Sequence, residues 1–335
     1  MNKNEGGGWR IEDGFRHPQS SIFNSRLVLI AGPTAVGKSQ IALLLAERLG
    51  GEVISADSMQ VYRGLDIGTA KPSPAERARV PHHLIDICDL TESFDAAQFA
   101  RLAQRAAAEI QSRGHVPILC GGTGLYFKAF LEGLGEAPSA DSKLRAELEF
   151  TPLENLLAEL RERDPDTFEK IDRKNPRRVI RAVEVIRLTG KPFSEIRGQR
   201  SEVRGQRLEF FCLTRALADL HVRINARVDA MFAHGLVDET RELLKHGLEQ
   251  NKTAMQAIGY RQVVEQLRGK RGLAETIELV KIRTRQFAKR QLTWFRAQKG
   301  LERIELKPEE TLKNLADRFC ETRQRSAEEI PRVSR

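Results

Sequence analysis

The sequence predicts an α/β fold, a parallel sheet flanked by helices and interrupted by an all-helical insertion. Three observations lead there. A short apolar run ending in glycine, "RLVLIAG" from Arg26, precedes a helix-spaced stretch; strand-like and helix-like segments then alternate; and beyond Pro138 helical patterns follow one another without strands. Buried strands read as continuous apolar runs, and alternating strands and helices build parallel sheets through right-handed crossovers.

Taken in order, the helix after "RLVLIAG" carries Ile41, Leu44, Leu45 and Leu49 at helical spacing and stops at Gly50 and Gly51. "EVISAD" is the second strand. "SFDAAQFARLAQRAAAEIQSRG" is alanine-rich, offers Ser93 or Asp95 as a cap and ends at Gly114. "HVPILCGGTG" gives another strand and "LYFKAFLEGL" another helix. The insertion spans 138–207 and closes on "EIRGQRSEVRGQR", a near-duplicated solvated connector. "LEFFCLTR" returns to the sheet, and the following helices include a stripe of Leu220, Ile224, Val228, Met231 and Phe232. The expected organisation is a tail at 1–24, a core at 25–137 and 208–306, the insertion at 138–207, and a charged, frayed tail at 307–335.

Composition narrows the function. The chain has 335 residues, 40% of them hydrophobic, and no apolar run near the roughly 18 residues of a membrane helix. The first 24 residues lack the apolar segment of a signal peptide. A cytoplasmic protein with no membrane partner is therefore expected. Cys88, Cys120, Cys212 and Cys320 lie far apart and read as reduced thiols. The formal charge is +9, and Arg173 to Arg207 alone holds eleven basic residues against three acidic ones. So concentrated a charge favours an anionic partner.

"GPTAVGKS", Gly32, Pro33, Thr34, Ala35, Val36, Gly37, Lys38 and Ser39, fits G-x-x-x-x-G-K-[ST]. The glycines let backbone N–H groups face phosphate oxygens and the following helix adds a favourable dipole, so a P-loop NTPase-like sheet is expected. Lys38 neutralises the terminal phosphate and Ser39 helps hold Mg²⁺. A nucleotide-hydrolysing site usually adds an apolar run ending in a magnesium-binding Asp. Asp86 in "HLIDICD" is a weak candidate, and "VPILCGG" ends in glycine instead.

Three polar segments, "GPTAVGKS", "ADSMQ" and "GGTG", fall at the carboxyl ends of predicted strands, where ligands bind in such sheets. Asp57 there is a turn cap or a general base, and Thr123 a helix cap or a substrate contact. Arg177, Arg178 and Arg181 lie in the basic window and read either as a solvated helix face or as a grip on an anionic partner. In "TRQFAKRQLTWFR", Phe287, Trp294 and Phe295 read as core rather than stacking platforms, while Arg285, Lys289, Arg290 and Arg296 line a phosphate site or RNA groove. His82 and His83 read as a structural loop, not metal ligands.

These segments, with "GGTGLYFKAFLEGL", "NPRRVIRAVEV", "RVDAMFAHGLVDE" and "AIGYRQ", closely resemble the bacterial tRNA dimethylallyltransferases, the tRNA isopentenyltransferase (IPP transferase) family, over roughly Leu27 to Arg303. The resemblance implies transfer of a dimethylallyl group from dimethylallyl diphosphate to the exocyclic amine of the adenosine immediately 3′ of the anticodon. The tRNAs are those reading codons that begin with U, and the products are isopentenyladenosine and diphosphate. It makes Asp57 the general base and Thr123 a catalytic residue touching the target base. It assigns tRNA contact to Asp57, Ser58, Met59, Gln60, Thr123, Arg145, Arg177, Arg178, Val179, Ile180 and Arg181. The diphosphate falls to residues 32–39, and Mg²⁺ to Ser39. The anticodon stem-loop is the implied partner, with the base flipped out of its stack, and the protein is expected to be a monomer. Eukaryotic relatives carry a C-terminal zinc finger; only Cys320 lies in that region here, so zinc is not expected. A P-loop nucleoside or nucleotide kinase, a prenyltransferase acting on free adenine nucleotides and a non-catalytic RNA-binding protein are the alternatives.

Overall fold

The computed structural model describes residues 27–134, 137–138, 140–198, 209–298, 300–307 and 309–328. The expected N-terminal tail and the connector from 199 to 207 lie outside them. The first half runs β1 (Val28–Ala31), α1 (Lys38–Leu49), β2 (Gly51–Ala56), α2 (Pro74–Arg79), β3 (His82–His83), α3 (Ala96–Ser112), β4 (Val116–Gly121) and α4 (Gly124–Glu132). The insertion holds α5 (Ser142–Phe150), α6 (Leu153–Arg163), α7 (Pro165–Lys170), α8 (Pro176–Thr189) and α9 (Phe193–Gly198). The chain then forms β5 (Glu209–Thr214), α10 (Leu217–Ala233), α11 (Leu236–Lys245), α12 (Tyr260–Leu267), α13 (Leu273–Arg296), β6 (Glu302–Glu305) and α14 (Leu312–Glu328).

The strands form one parallel sheet in the order β3-β2-β4-β1-β5-β6. β1 is central and wholly buried because its apolar side chains feed both faces: Leu29 and Ala31 pack with α3, α4 and Phe295, Val28 and Ile30 with α1 and α10. Asp95 caps α3 by accepting from Ala97 N and Gln98 N, while the Gln98 side chain returns to Asp95 N. The insertion has its own core, in which Leu148, Leu156 and Leu160 meet Val179, Val183 and Ile186.

Two strands escape the sequence pattern. β3 and β6 are edge strands of two and four residues, "HH" and "ERIE", which pair through the backbone with little apolar content. His83 and His115 hydrogen-bond the buried Glu52 at the start of β2, each at 2.6 Å, and Arg113 joins them. Burial pushes the Glu52 carboxyl up, but these partners outweigh it and hold it at about 2.

The expected C-terminal tail at 307–335 is corrected over Leu312–Glu328, and residues 329–335 lie outside the described ones. Leu312, Leu315, Ala316 and Phe319 are spaced as one face of a helix amid charged neighbours, and α14 lays that face on the core. Leu315 and Ala316 are completely buried, Arg48 of α1 pairs with Asp317 at 2.8 Å, and Phe319 meets Phe211 edge-on. The core therefore continues beyond residue 306.

Candidate active site and RNA-facing helices

The loop joining β1 to α1 is held from outside. At Gly32, φ is +146° and a Cβ would stand 2.5 Å from the Leu213 carbonyl oxygen, so only glycine fits. The loop's carbonyls are occupied: Lys38 Nζ donates to Pro33 O at 2.7 Å, Arg223 Nε to Ala35 O at 3.0 Å and Arg215 Nε to Val36 O at 3.1 Å. Thr34 N donates to Gln291 Oε1 at 2.9 Å. Gly37 caps α1, and Ser39 presents an exposed hydroxyl on its first turn.

Lys38 is partly buried. Burial lowers its pKa to about 8, and the nearby Arg227 guanidinium pushes the same way while Asp57 opposes it. Arg227 is also lowered by burial, and Asp57 is the carboxylate that offsets this. Lys38, Asp57 and Arg227 thus share one electrostatic environment. Burial raises the Cys120 thiol to about 12 and Cys212 to about 11, which keeps both protonated and inert.

Asp57 leaves the end of β2 and does what both sequence readings allow. One oxygen, Oδ1, accepts from Met59 N at 2.9 Å and caps the turn; the other has no hydrogen-bond partner among the described residues. Across the sheet end, Thr123 N donates to Ala56 O at 3.2 Å and Thr123 Oγ1 accepts from Ser58 N at 3.1 Å. The loops after β2 and β4 are therefore tied beside Asp57.

Gln60 has a different task from the one implied. Its buried side chain accepts from Ser55 Oγ at 2.8 Å and donates to Thr69 O and Ala70 O, so it braces the following loop rather than facing RNA. That loop has further anchors. Glu239 accepts from Ile67 N at 2.9 Å and from Tyr260 Oη at 2.6 Å. Lys71 and Arg77 both pair with Asp86. Asp86, the weak magnesium candidate, is committed to those two cations.

Beside Ser58 and Thr123 opens a cavity of about 210 Å³, completed by Gly122, Gly124, Phe287, Arg290, Gln291, Trp294 and Phe295. A Cβ at Gly124 would sit 2.3 Å from the Trp294 ring, so the glycine admits the indole. The aromatics divide. Phe295 is core, as expected, whereas Phe287 and Trp294 are partly exposed walls, with the Arg290 guanidinium 5.7 Å from the Phe287 ring centre. Sequence reasoning missed Gln291, Arg223 and Arg227. The available signal was "RINARVD", two arginines four apart on the helix that leaves the sheet's ligand-binding end.

The residues expected to contact tRNA also divide. Pro176 starts α8 and Asn175 caps it by accepting from Arg178 N. Arg177 and Arg178 are exposed, and Arg177 reaches Gln256 of the core. Val179 and Ile180 are buried in the insertion core, so their side chains build the helix and do not face RNA. Arg181 and Arg145 both pair with Glu184, which is completely buried; Arg181 Nη1 lies 2.6 Å from its Oε2.

No helix among the described residues is long and apolar enough to cross a membrane. The family model described as IPP transferase matches residues 60–298. The chain is 47% identical over 283 residues to a tRNA dimethylallyltransferase of Trichlorobacter lovleyi, covering 83% of this chain and 92% of that one. It is 48% identical over 289 residues to the enzyme of Geobacter sulfurreducens, covering 84% and 92%. Among solved structures, the tRNA isopentenylpyrophosphate transferase of Bacillus halodurans matches with a TM-score of 0.65 at 41% identity, covering 90% of this chain and 98% of that one. A eukaryotic dimethylallyltransferase acting on tRNA matches with 0.71 at 30% identity, covering 90% and 78%. The family model spans more than half of the chain and these relatives are nearly half identical over most of it; this chain belongs to the IPP transferase family.

Proposed function

We propose that this protein transfers a dimethylallyl group from dimethylallyl diphosphate to the exocyclic amine of the adenosine immediately 3′ of the anticodon. The observation that carries this reading is the convergence of residues 32–39, Asp57 and Thr123 at the carboxyl ends of β1, β2 and β4, beside a cavity. The bond between the allylic carbon and the diphosphate oxygen breaks, and diphosphate leaves with the electron pair. A bond forms from the adenine amine to that carbon, and Asp57 takes the proton the amine releases.

Charge grows on the departing diphosphate. Backbone N–H groups of the loop, Lys38, Arg223 and Arg227 stabilise it in a site screened from water. A hard cation also suits the place: the exposed Ser39 hydroxyl is an oxygen donor beside the loop, and Mg²⁺ held there would neutralise diphosphate charge. Thr123 and Ser58 form the polar edge of the cavity that takes the flipped base, and Phe287 and Trp294 its apolar wall. Arg177 and Arg178 hold the backbone of the anticodon stem-loop. The buried, protonated thiols fit a reducing cytoplasm.

A kinase reading loses its magnesium carboxylate, since Asp86 is spent on Lys71 and Arg77. The test incubates the protein with unmodified tRNA, dimethylallyl diphosphate and Mg²⁺, then digests the RNA for mass spectrometry. Isopentenyladenosine is the expected product. Prenylation of free adenine nucleotides with none in tRNA would replace this reading by its nearest alternative.

A further inference from the structure

The geometry points to Gln291 as the residue that sets the spacing between the two halves of the reaction, an inference that rests on the proposed transfer. Gln291 is 7% exposed, so its carboxamide is costly to bury unless both ends are bonded. Both are. Oε1 accepts from Thr34 N in the diphosphate loop, and Nε2 donates to Gly122 O beside Thr123, each at 2.9 Å. Turning the amide over would set N–H against N–H and oxygen against oxygen, so the partners fix its orientation.

The sheet does not supply this spacing by itself. Ladder pairing ends at Ala31 opposite Gly121, and among the described residues no backbone hydrogen bond joins residues 32–37 to residues 122–123 beyond it. Gln291 spans that gap from a third element, α13. Position 122 is shaped for it, since a Cβ there would stand 2.3 Å from Nε2. The connection continues: Thr123 N bonds Ala56 O, and Asp57 is the next residue. One carboxamide therefore links the loop that holds the leaving group to the loop that frames the acceptor amine. Nucleophile, allylic carbon and leaving oxygen must lie in line, and a displacement of about 1 Å at such a site costs about 100-fold in rate. Both ends of the Gln291 carboxamide are spent on protein partners, so it acts as a positioning residue.

Two variants test it under single-turnover conditions with saturating substrates. Gln291→Met removes both bonds at similar length, and its transfer rate at saturating substrates is expected to fall about 30- to 100-fold. Gln291→Glu keeps the acceptor for Thr34 N but sets a carboxylate against Gly122 O until it is protonated. Its rate relative to the wild type should rise as pH falls from 8 to 6, a dependence that a merely structural residue would not show. Hydrogen exchange of the peptide covering 30–37 should speed up in Gln291→Met, a readout independent of activity. Wild-type rates in both variants, a loss confined to tRNA binding, or a pH-independent rate ratio for Gln291→Glu would overturn the inference. Absence of product from the wild-type protein would instead overturn the transfer reaction itself. If Gln291→Met does not fold, the pH dependence of Gln291→Glu decides.

Discussion

The sheet-end site and the arginine face of the insertion are built on opposite principles. At the sheet end, turns and hydrogen bonds place the charged groups: the Gly32 turn, the Asp57 turn and the Thr123 bonds each fix a loop whose root is a strand. On the insertion, charge is abundant, but much of it is spent internally. Arg145 and Arg181 share the buried Glu184, and Arg187 is held charged chiefly by Glu159, with Glu147 also paired to it. Arg177 and Arg178 stand exposed. Charge counted along a chain therefore overstates the charge offered to RNA, because a helix needs some of it to fix its own position.

Four experiments sharpen that contrast, from the largest expected effect to the smallest. Asp57→Ala should lower the transfer rate about 1000-fold, the range for removing a general base, while tRNA affinity measured by filter binding stays at the wild-type level. Full activity would remove Asp57 from the chemistry. On the insertion, Glu184→Ala should destabilise the protein by about 2–3 kcal/mol in urea unfolding, below the roughly 3–5 kcal/mol of fully buried pairs because both guanidiniums can reach water. An unchanged unfolding midpoint would show that the arginines do not need their carboxylate.

Arg177→Ala combined with Arg178→Ala should weaken tRNA binding about tenfold and lower the salt slope by about 1.4 to 2, leaving turnover at saturating tRNA unchanged. A turnover defect would place these side chains nearer the chemistry. The smallest effect is a pH limb. With its pKa lowered to about 8, Lys38 carries its charge below that pH and loses it above. The kcat/KM for dimethylallyl diphosphate should then fall about fivefold between pH 8 and pH 9, and Lys38→Arg, which stays charged, should lack that limb.

Legibility followed chain distance. The four strands with apolar runs were readable, while "HH" and "ERIE" were not, because an edge strand needs only backbone partners. α14 was hidden because its apolar stripe is diluted by charge and takes meaning only against α1 and Phe211. In the site, residues 32–39, Asp57 and Thr123 lie within short segments whose local turn chemistry announces them. Gln291 is 257 positions from Thr34, and Arg223 is 188 from Ala35; no local pattern records such a reach. Gln60, Val179 and Ile180 show the converse, since membership in a segment expected to contact RNA did not reveal that their side chains turn inward.

By itself the sequence determined the parallel α/β core, the glycine-bearing loop between β1 and α1 and the place of the insertion, because hydrophobic period and glycine spacing act over a few residues. The tertiary structure alone decided which polar groups remain available to a substrate. That depends on whether a distant side chain, Glu184 for the arginines or Gln291 for the loops, has already taken the hydrogen bond. A buried polar group must be satisfied wherever its partner lies along the chain.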